Sequence, residues 1–216
     1  MKSKIIVALD VDNFDAAARL VTQLGDTVGM FKVGSQLFTR YGPRIIELIH
    51  AQGRQCFLDL KFHDIPNTVA KAVESAAALK VYMLTLHTAG GEEMLRAAAA
   101  VQPRPLLLGV TVLTSVAGDQ QAEVLRRARL ARETGLDGVV ASAHEIVPLR
   151  KELGDKFVIV TPGIRPAGSD VGDQKRVMTP GEAVRVGASF LVIGRPIVAD
   201  PDPAAAARRI GAEIGG

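Results

Sequence analysis

Short apolar runs alternate with Ala-rich or amphipathic stretches from one end of the chain to the other. The runs Ile5–Asp10, Met30–Val33, Cys56–Leu60, Met83–His87, Leu106–Val112, Gly138–Ala141, Phe157–Thr161 and Phe190–Ile193 predict strands. Between them Phe14–Leu24, Pro43–Gln52, Thr68–Leu79 and Ala122–Thr134 predict helices. The punctuation agrees: Asn13 suits a helix cap, Pro43 a first turn, Gly53 a stop, and Asp202-Pro203 the opening of the last helix. Strands alternating with helices imply right-handed βαβ units and a parallel sheet. Eight such units in 216 residues predict an α/β fold, a (β/α)8 TIM barrel, as one domain over 1–216. A doubly wound open sheet is the alternative.

Composition narrows this further. Aliphatic residues dominate, with no Trp and two Tyr, which suits buried parallel strands covered by Ala-rich helices. No run of uncharged apolar residues is long enough to span a membrane, and the N-terminus meets Asp10 too early for a signal peptide. The single cysteine, Cys56, excludes an intramolecular disulfide and fits a reducing cytoplasm. The formal charge is only +3. Its densest basic run, Arg126-Arg127-Ala128-Arg129 with Arg132, lies on a predicted helix between Glu123 and Glu133, so a solvated face is expected and no nucleic-acid partner.

Charges stand where a barrel strand should be apolar. On the third strand Phe57, Asp59 and Lys61 share one face, while Cys56, Leu58 and Leu60 share the other. The wholly apolar face must pack on helices, with Cys56 as a small core residue, so Asp59 and Lys61 point into the barrel at its C-terminal mouth. The second strand repeats the device with Met30, Lys32 and Gly34 opposite Phe31 and Val33; Asp10 closes the first strand and His87 the fourth. Lysines are rarely buried without a partner, so Lys32 and Lys61 call for Asp10, Asp59 and Asp64. Salt bridges that merely hold strands together are one explanation. The number of charges gathered where such barrels keep their active sites favours chemistry. His63 and His87 are weaker signals, at home in a loop and at a strand end.

After the last strand comes Val192-Ile193-Gly194-Arg195-Pro196, and after the seventh come Gly163 and Arg165. A glycine there admits backbone N–H groups to an anion and an arginine offers a bidentate clamp, at the loops where these barrels often bind phosphate. A plain turn with a surface arginine is the alternative. The stretch Gly163–Val177 lacks periodicity and is long enough for a lid, or for a tolerated insertion. No P-loop, dinucleotide fingerprint or Cys/His metal spacing occurs, and two lysines in the acidic cluster argue against a hard metal there. No cofactor and no metal are expected. What remains is charge placement with a lysine acid/base, or a lysine Schiff base.

The block Leu58-Asp59-Leu60-Lys61-Phe62-His63-Asp64-Ile65-Pro66-Asn67-Thr68 resembles the Asp-x-Lys-x-x-Asp signature and Ile-Pro-Asn-Thr extension of the orotidine 5'-phosphate decarboxylases. The resemblance continues in Ala8-Leu9-Asp10, Lys32-Val33-Gly34, Leu113-Thr114-Ser115, Thr161-Pro162-Gly163-Ile164-Arg165, Asp173-Gln174-Lys175-Arg176-Val177 and the Gly194-Arg195 block, and so covers the whole chain. Sugar-phosphate decarboxylases and hexulose-phosphate synthases share the signature, but they tend to carry a metal-binding glutamate where this chain has Lys32.

The resemblance implies a cofactor-independent conversion of a nucleotide, orotidine 5'-phosphate, to uridine 5'-phosphate in pyrimidine biosynthesis. By it, Asp10 and Lys32 would contact the ribose hydroxyls, with Lys32 also completing a catalytic Lys–Asp–Lys–Asp array, Asp59 would lie against the orotate carboxylate, and Lys61 would protonate C6. Asp64 and Thr68 would reach into the partner subunit of a homodimer. Thr114 and Ser115 would meet the pyrimidine, Gln174 would close from the lid, and Arg165, Gly194 and Arg195 would hold the phosphate. A metal-dependent sugar-phosphate enzyme and a non-catalytic phosphate sensor are the competing readings. The sensor gives no reason to keep both Asp59 and Lys61.

Overall fold

The structure, a computed structural model, describes residues 4–112, 120–166 and 178–215. Eight parallel strands close into a barrel in sequence order: β1 (Ile5–Ala8), β2 (Met30–Gly34), β3 (Gln55–Phe62), β4 (Met83–His87), β5 (Leu106–Val110), β6 (Gly138–Val140), β7 (Val158–Thr161) and β8 (Phe190–Ile193). β1 pairs with both β2 and β8, which removes every sheet edge. Around them lie α1 (Phe14–Leu24), α2 (Ser35–Tyr41), α3 (Arg44–Ala51), α4 (Pro66–Ala78), α5 (Gly91–Ala99), α6 (Gln121–Glu133), α7 (Ile146–Leu153), α8 (Pro180–Arg185), α9 (Arg195–Val198) and α10 (Pro203–Gly215). The barrel, and not the open sheet, is the fold.

The expected caps form. Asn13 accepts a hydrogen bond from the Ala16 N–H at 2.9 Å and starts α1. Asp202 does the same for the Ala205 N–H at 2.9 Å before α10. Gly53, at φ +67°, ends the turn after α3, where its N–H meets the His50 carbonyl. Pro43 stands one residue outside α3, and α4 begins at Pro66 because a proline at the first turn forfeits no helical bond. The first strand ends at Ala8, short of Asp10, although the Leu9 N–H still donates to the Lys32 carbonyl.

Strand alternation divides the core into two layers. Ile6, Ala8, Met30, Phe57, Met83, Leu108, Val160 and Val192 fill the barrel itself. Their sequence neighbours, among them Ile5, Val7, Phe31, Cys56, Leu58 and Leu84, pack outward against the helices. Each such large side chain contributes about 1.5–3 kcal/mol on burial. Cys56 belongs to the outer layer as expected, and burial pushes its thiol up to about 12. The inner layer floors the barrel below the residues that follow it on the same face: Asp10, Lys32 and Asp59.

The basic run on α6 is only partly a solvated face. Arg126 pairs with Glu123 and Arg129 with Glu152 near the surface, whereas Arg127 is largely covered and donates to the Thr111 carbonyl at 2.8 Å. Arg127 thereby ties α6 to the end of β5.

Candidate active site

Four charges line up across the mouth of β1, β2 and β3. The Lys32 ammonium lies 3.1 Å from Asp10 Oδ1 and 3.7 Å from Asp59 Oδ2, and the Lys61 ammonium lies 2.9 Å from Asp59 Oδ1. Signs alternate along the row: Asp10, Lys32, Asp59, Lys61. The Lys32 side chain is only 12% exposed and Asp59 16%, so each needs the neighbours it has. Gly34 makes room for the row, because a Cβ there would stand 3.2 Å from Lys32 Nζ. Asp10 is the most open member, at 61%.

Lys61 reaches this position through an irregularity. Leu58 pairs with Leu84 and Phe62 with Leu86, so β3 advances four residues while β4 advances two. Within the bulge Lys61 takes φ +52°, a left-handed conformation that costs a residue with a side chain roughly 1–2 kcal/mol. Strict alternation accounts for Phe57 and Asp59 but not for this backbone turn, which aims the lysine back over Asp59.

Above the row a cavity of about 490 Å³ opens between the ends of the strands. Asp10, Lys32, Asp59 and Lys61 line it together with Gly163, Arg165, Gly194 and Arg195. Val110, Val140 and Val192 supply apolar wall between them. Gly163 has φ +75°, a conformation that favours glycine, where β7 turns into the loop. The Arg165 N–H donates to the Met178 carbonyl at 3.2 Å and so pins the far end of that loop. The volume is in the range of small-molecule sites, and its polarity divides into a charged row and an arginine-bearing rim.

Two of the residues expected at the site lie apart from it in the single chain. Asp64 is exposed, and its carboxylate accepts from the Ile65 N–H at 2.7 Å; Thr68 is exposed on α4. Among the described residues Asp59 is the only carboxylate in ion-pair contact with Lys61. Thr114, Ser115 and Gln174 lie outside the described residues, as does most of the loop Gly163–Val177. His63 and His87 stack at 5.5 Å beside the bulge, and Nδ1 of His87 accepts from the Ala89 N–H. Among the described residues no group of three or more His, Cys, Asp or Glu side chains is placed to hold a metal ion. At the row itself, the Lys32 ammonium occupies the position between two carboxylates that a cation would take.

One participant escaped the sequence reading. Thr85, on β4 and fully buried, donates from Oγ1 to Asp59 Oδ1 at 3.0 Å and accepts from the Lys61 backbone N–H at 2.9 Å. Its parity with Met83 and His87, which puts it on the inward face, was the available signal.

Residues 3–210 match the model of the "Orotidine 5'-phosphate decarboxylase / HUMPS family". The chain belongs to this family. It is a carbon–carbon lyase by that membership. An orotidine 5'-phosphate decarboxylase of Moorella thermoacetica is 54% identical over 233 residues, an alignment that spans 99% of this chain and 92% of the relative. Another from Nitrosococcus oceani is 51% identical, with 99% and 98% covered. The crystal structure of the Lactobacillus acidophilus orotidine 5'-phosphate decarboxylase superposes with a TM-score of 0.86 at 37% identity and covers the whole of both chains.

Proposed function

We propose that this family member decarboxylates orotidine 5'-phosphate to uridine 5'-phosphate in pyrimidine biosynthesis, with Lys61 as the proton donor and no cofactor. The observation that carries this reading is the alternating row Asp10–Lys32–Asp59–Lys61 in a cavity that Arg165 and Arg195 also line.

The chemistry asks for such a row. When the C6–carboxylate bond breaks, CO2 leaves and the electron pair stays at C6, in a ring position without a conventional electron sink. A fixed ammonium beside C6 stabilises that pair and then transfers a proton to it. Lysine then regains its proton from solvent. Asp59 holds the ammonium 2.9 Å from its own oxygen and would stand against the departing carboxylate. Lys32, itself held by Asp10 and Asp59, keeps Asp59 from swinging away and reaches the ribose with Asp10. Arg165, Arg195 and the open backbone at Gly194 take the phosphate, where remote binding energy holds the reacting ring in register.

The experiment is the loss of orotate absorbance with EDTA present, in the wild type and in Lys61→Ala. The wild type should turn over undiminished by the chelator. Lys61→Ala should fold, bind the nucleotide and lose turnover by many orders of magnitude. A variant that keeps about a tenth of kcat would remove Lys61 as the donor, and a wild type silenced by EDTA would point to the metal-dependent sugar-phosphate branch.

A further inference from the structure

We infer that Thr85 is a positioning residue for this reaction, one hydroxyl that sets both the Asp59 carboxylate and the backbone from which Lys61 projects. The inference rests on the decarboxylase reading above.

The need for such a group arises from the bulge. The ladder between β3 and β4 is regular up to Leu58–Leu84 and resumes only at Phe62–Leu86. Asp59, Leu60 and Lys61 therefore run past β4 out of register, and the Lys61 N–H meets a side chain of β4 and not a ladder carbonyl. A buried N–H without a partner is costly, so a side chain must take the place of the ladder. Thr85, paired on its other side with Leu108, sits opposite the gap. Its Oγ1 accepts the Lys61 N–H at 2.9 Å.

That bond orients the hydroxyl. With the Lys61 N–H directed at one lone pair, the O–H points elsewhere, and the acceptor it finds is Asp59 Oδ1 at 3.0 Å. The same carboxylate oxygen receives the Lys61 ammonium at 2.9 Å. Backbone N–H, hydroxyl, carboxylate and ammonium thus close a loop that starts and ends on Lys61, pinned to β4 through a single atom. The left-handed φ of +52° at Lys61 persists because this loop holds it.

Among the described residues, Lys61 and Asp59 are the hydrogen-bond partners of the Thr85 hydroxyl. Thr85 is completely buried, and the inward residues Phe57 and Met83 below it and Leu108 beside it are apolar. A hydroxyl on that floor would be a liability if packing alone mattered, since valine fills the same volume. Among the described residues Thr85 does not line the cavity, so it acts through Asp59 and Lys61.

The test compares Thr85→Val, which keeps the volume and deletes the hydroxyl, with Thr85→Ser, which keeps the hydroxyl and deletes a methyl. Steady-state kinetics with orotidine 5'-phosphate, uridine 5'-phosphate affinity and exchange of the Lys61 amide are measured for each. Thr85→Val should lose about 100-fold in kcat, as an ångström-scale displacement of a reacting group does, while KM and product affinity move by less than about threefold. Its Lys61 amide should exchange faster, and Thr85→Ser should restore both kcat and protection. Should the valine protein fail to fold, Thr85→Cys, a weak donor and acceptor of similar size, should lose more than about tenfold in kcat. A valine variant within about threefold of wild-type kcat would overturn the inference. So would a serine variant that falls as far as valine, because the methyl would then be what matters. A wild type without decarboxylase activity would refute the reaction instead, and the Lys61 amide would still judge the hydrogen bond.

Discussion

Arg195 illustrates how one side chain can be placed at a cavity without revealing what it holds. It stands at the rim, at the first position of α9, with Gly194 behind it at the exit of β8. If it clamps the substrate phosphate, Arg195→Ala removes a charge-assisted contact worth about 2–5 kcal/mol once both charges are desolvated. That loss should appear in kcat/KM for the nucleotide, and far less for the same nucleoside without its phosphate. Equal losses for the two substrates would make Arg195 a structural residue of the turn. At this scale the sequence was informative where chemistry and parity coincide, as at Lys32, Asp59 and Lys61. It missed Thr85: parity turns that side chain inward, but which atoms it meets depends on the bulge opposite it.

The pairing of β3 with β4 decides more than any other element. Their shifted register creates the bulge, seats Lys61, and brings His63 against His87. Burial disfavours the imidazolium of His87, and the charges of His63, Arg127 and Lys61 act in the same direction, so its pKa lies below the ordinary 6.5. An unfolded chain therefore takes up this proton first as pH falls. The stability due to neutral His87 is complete above 6.5 and is lost as pH drops through the lower folded value. His87→Gln should flatten the fall in unfolding free energy below 6.5, measured by denaturant titration at several pH values; an unchanged slope would assign the proton uptake to another group. His50, lowered by burial and by Lys80, should account for part of the remainder.

For the molecule as a whole, the exposed edge beside the site poses the question of a partner. Asp64 and Thr68 resemble family residues that complete a neighbouring subunit's site, and in the single chain both are exposed and outside the lining of the cavity. Between them Ile65 is 65% exposed, a large apolar side chain that a two-fold interface would cover. A homodimer with composite sites predicts complementation. Lys61→Ala and Asp64→Ala, each nearly inactive, should regain about a quarter of wild-type activity after subunit exchange, because half the dimers are mixed and each has one intact site of two. Exchange demonstrated by mass spectrometry with no regained activity would place Asp64 in its own subunit's chemistry and leave the reaction itself untouched.

The amino-acid sequence alone determined the number and order of the strands, the two faces of each, and the end of the barrel at which charge collects. Those features follow from local periodicity, which acts within a few residues of chain, and from the cost of burying a lysine without a carboxylate. Three things were decided only in the folded molecule. The β3–β4 register shift depends on a long-range pairing, so it left no periodic trace between Asp59 and Phe62. The division of carboxylates followed from it: Asp59 serves both Lys32 and Lys61, while Asp64, three residues beyond Lys61, turns to its own backbone. The role of Arg127 as a strut between α6 and β5 likewise required the helix to be docked before its reach could be known. Periodicity assigns a side chain to a face; only packing between elements decides which atom it meets.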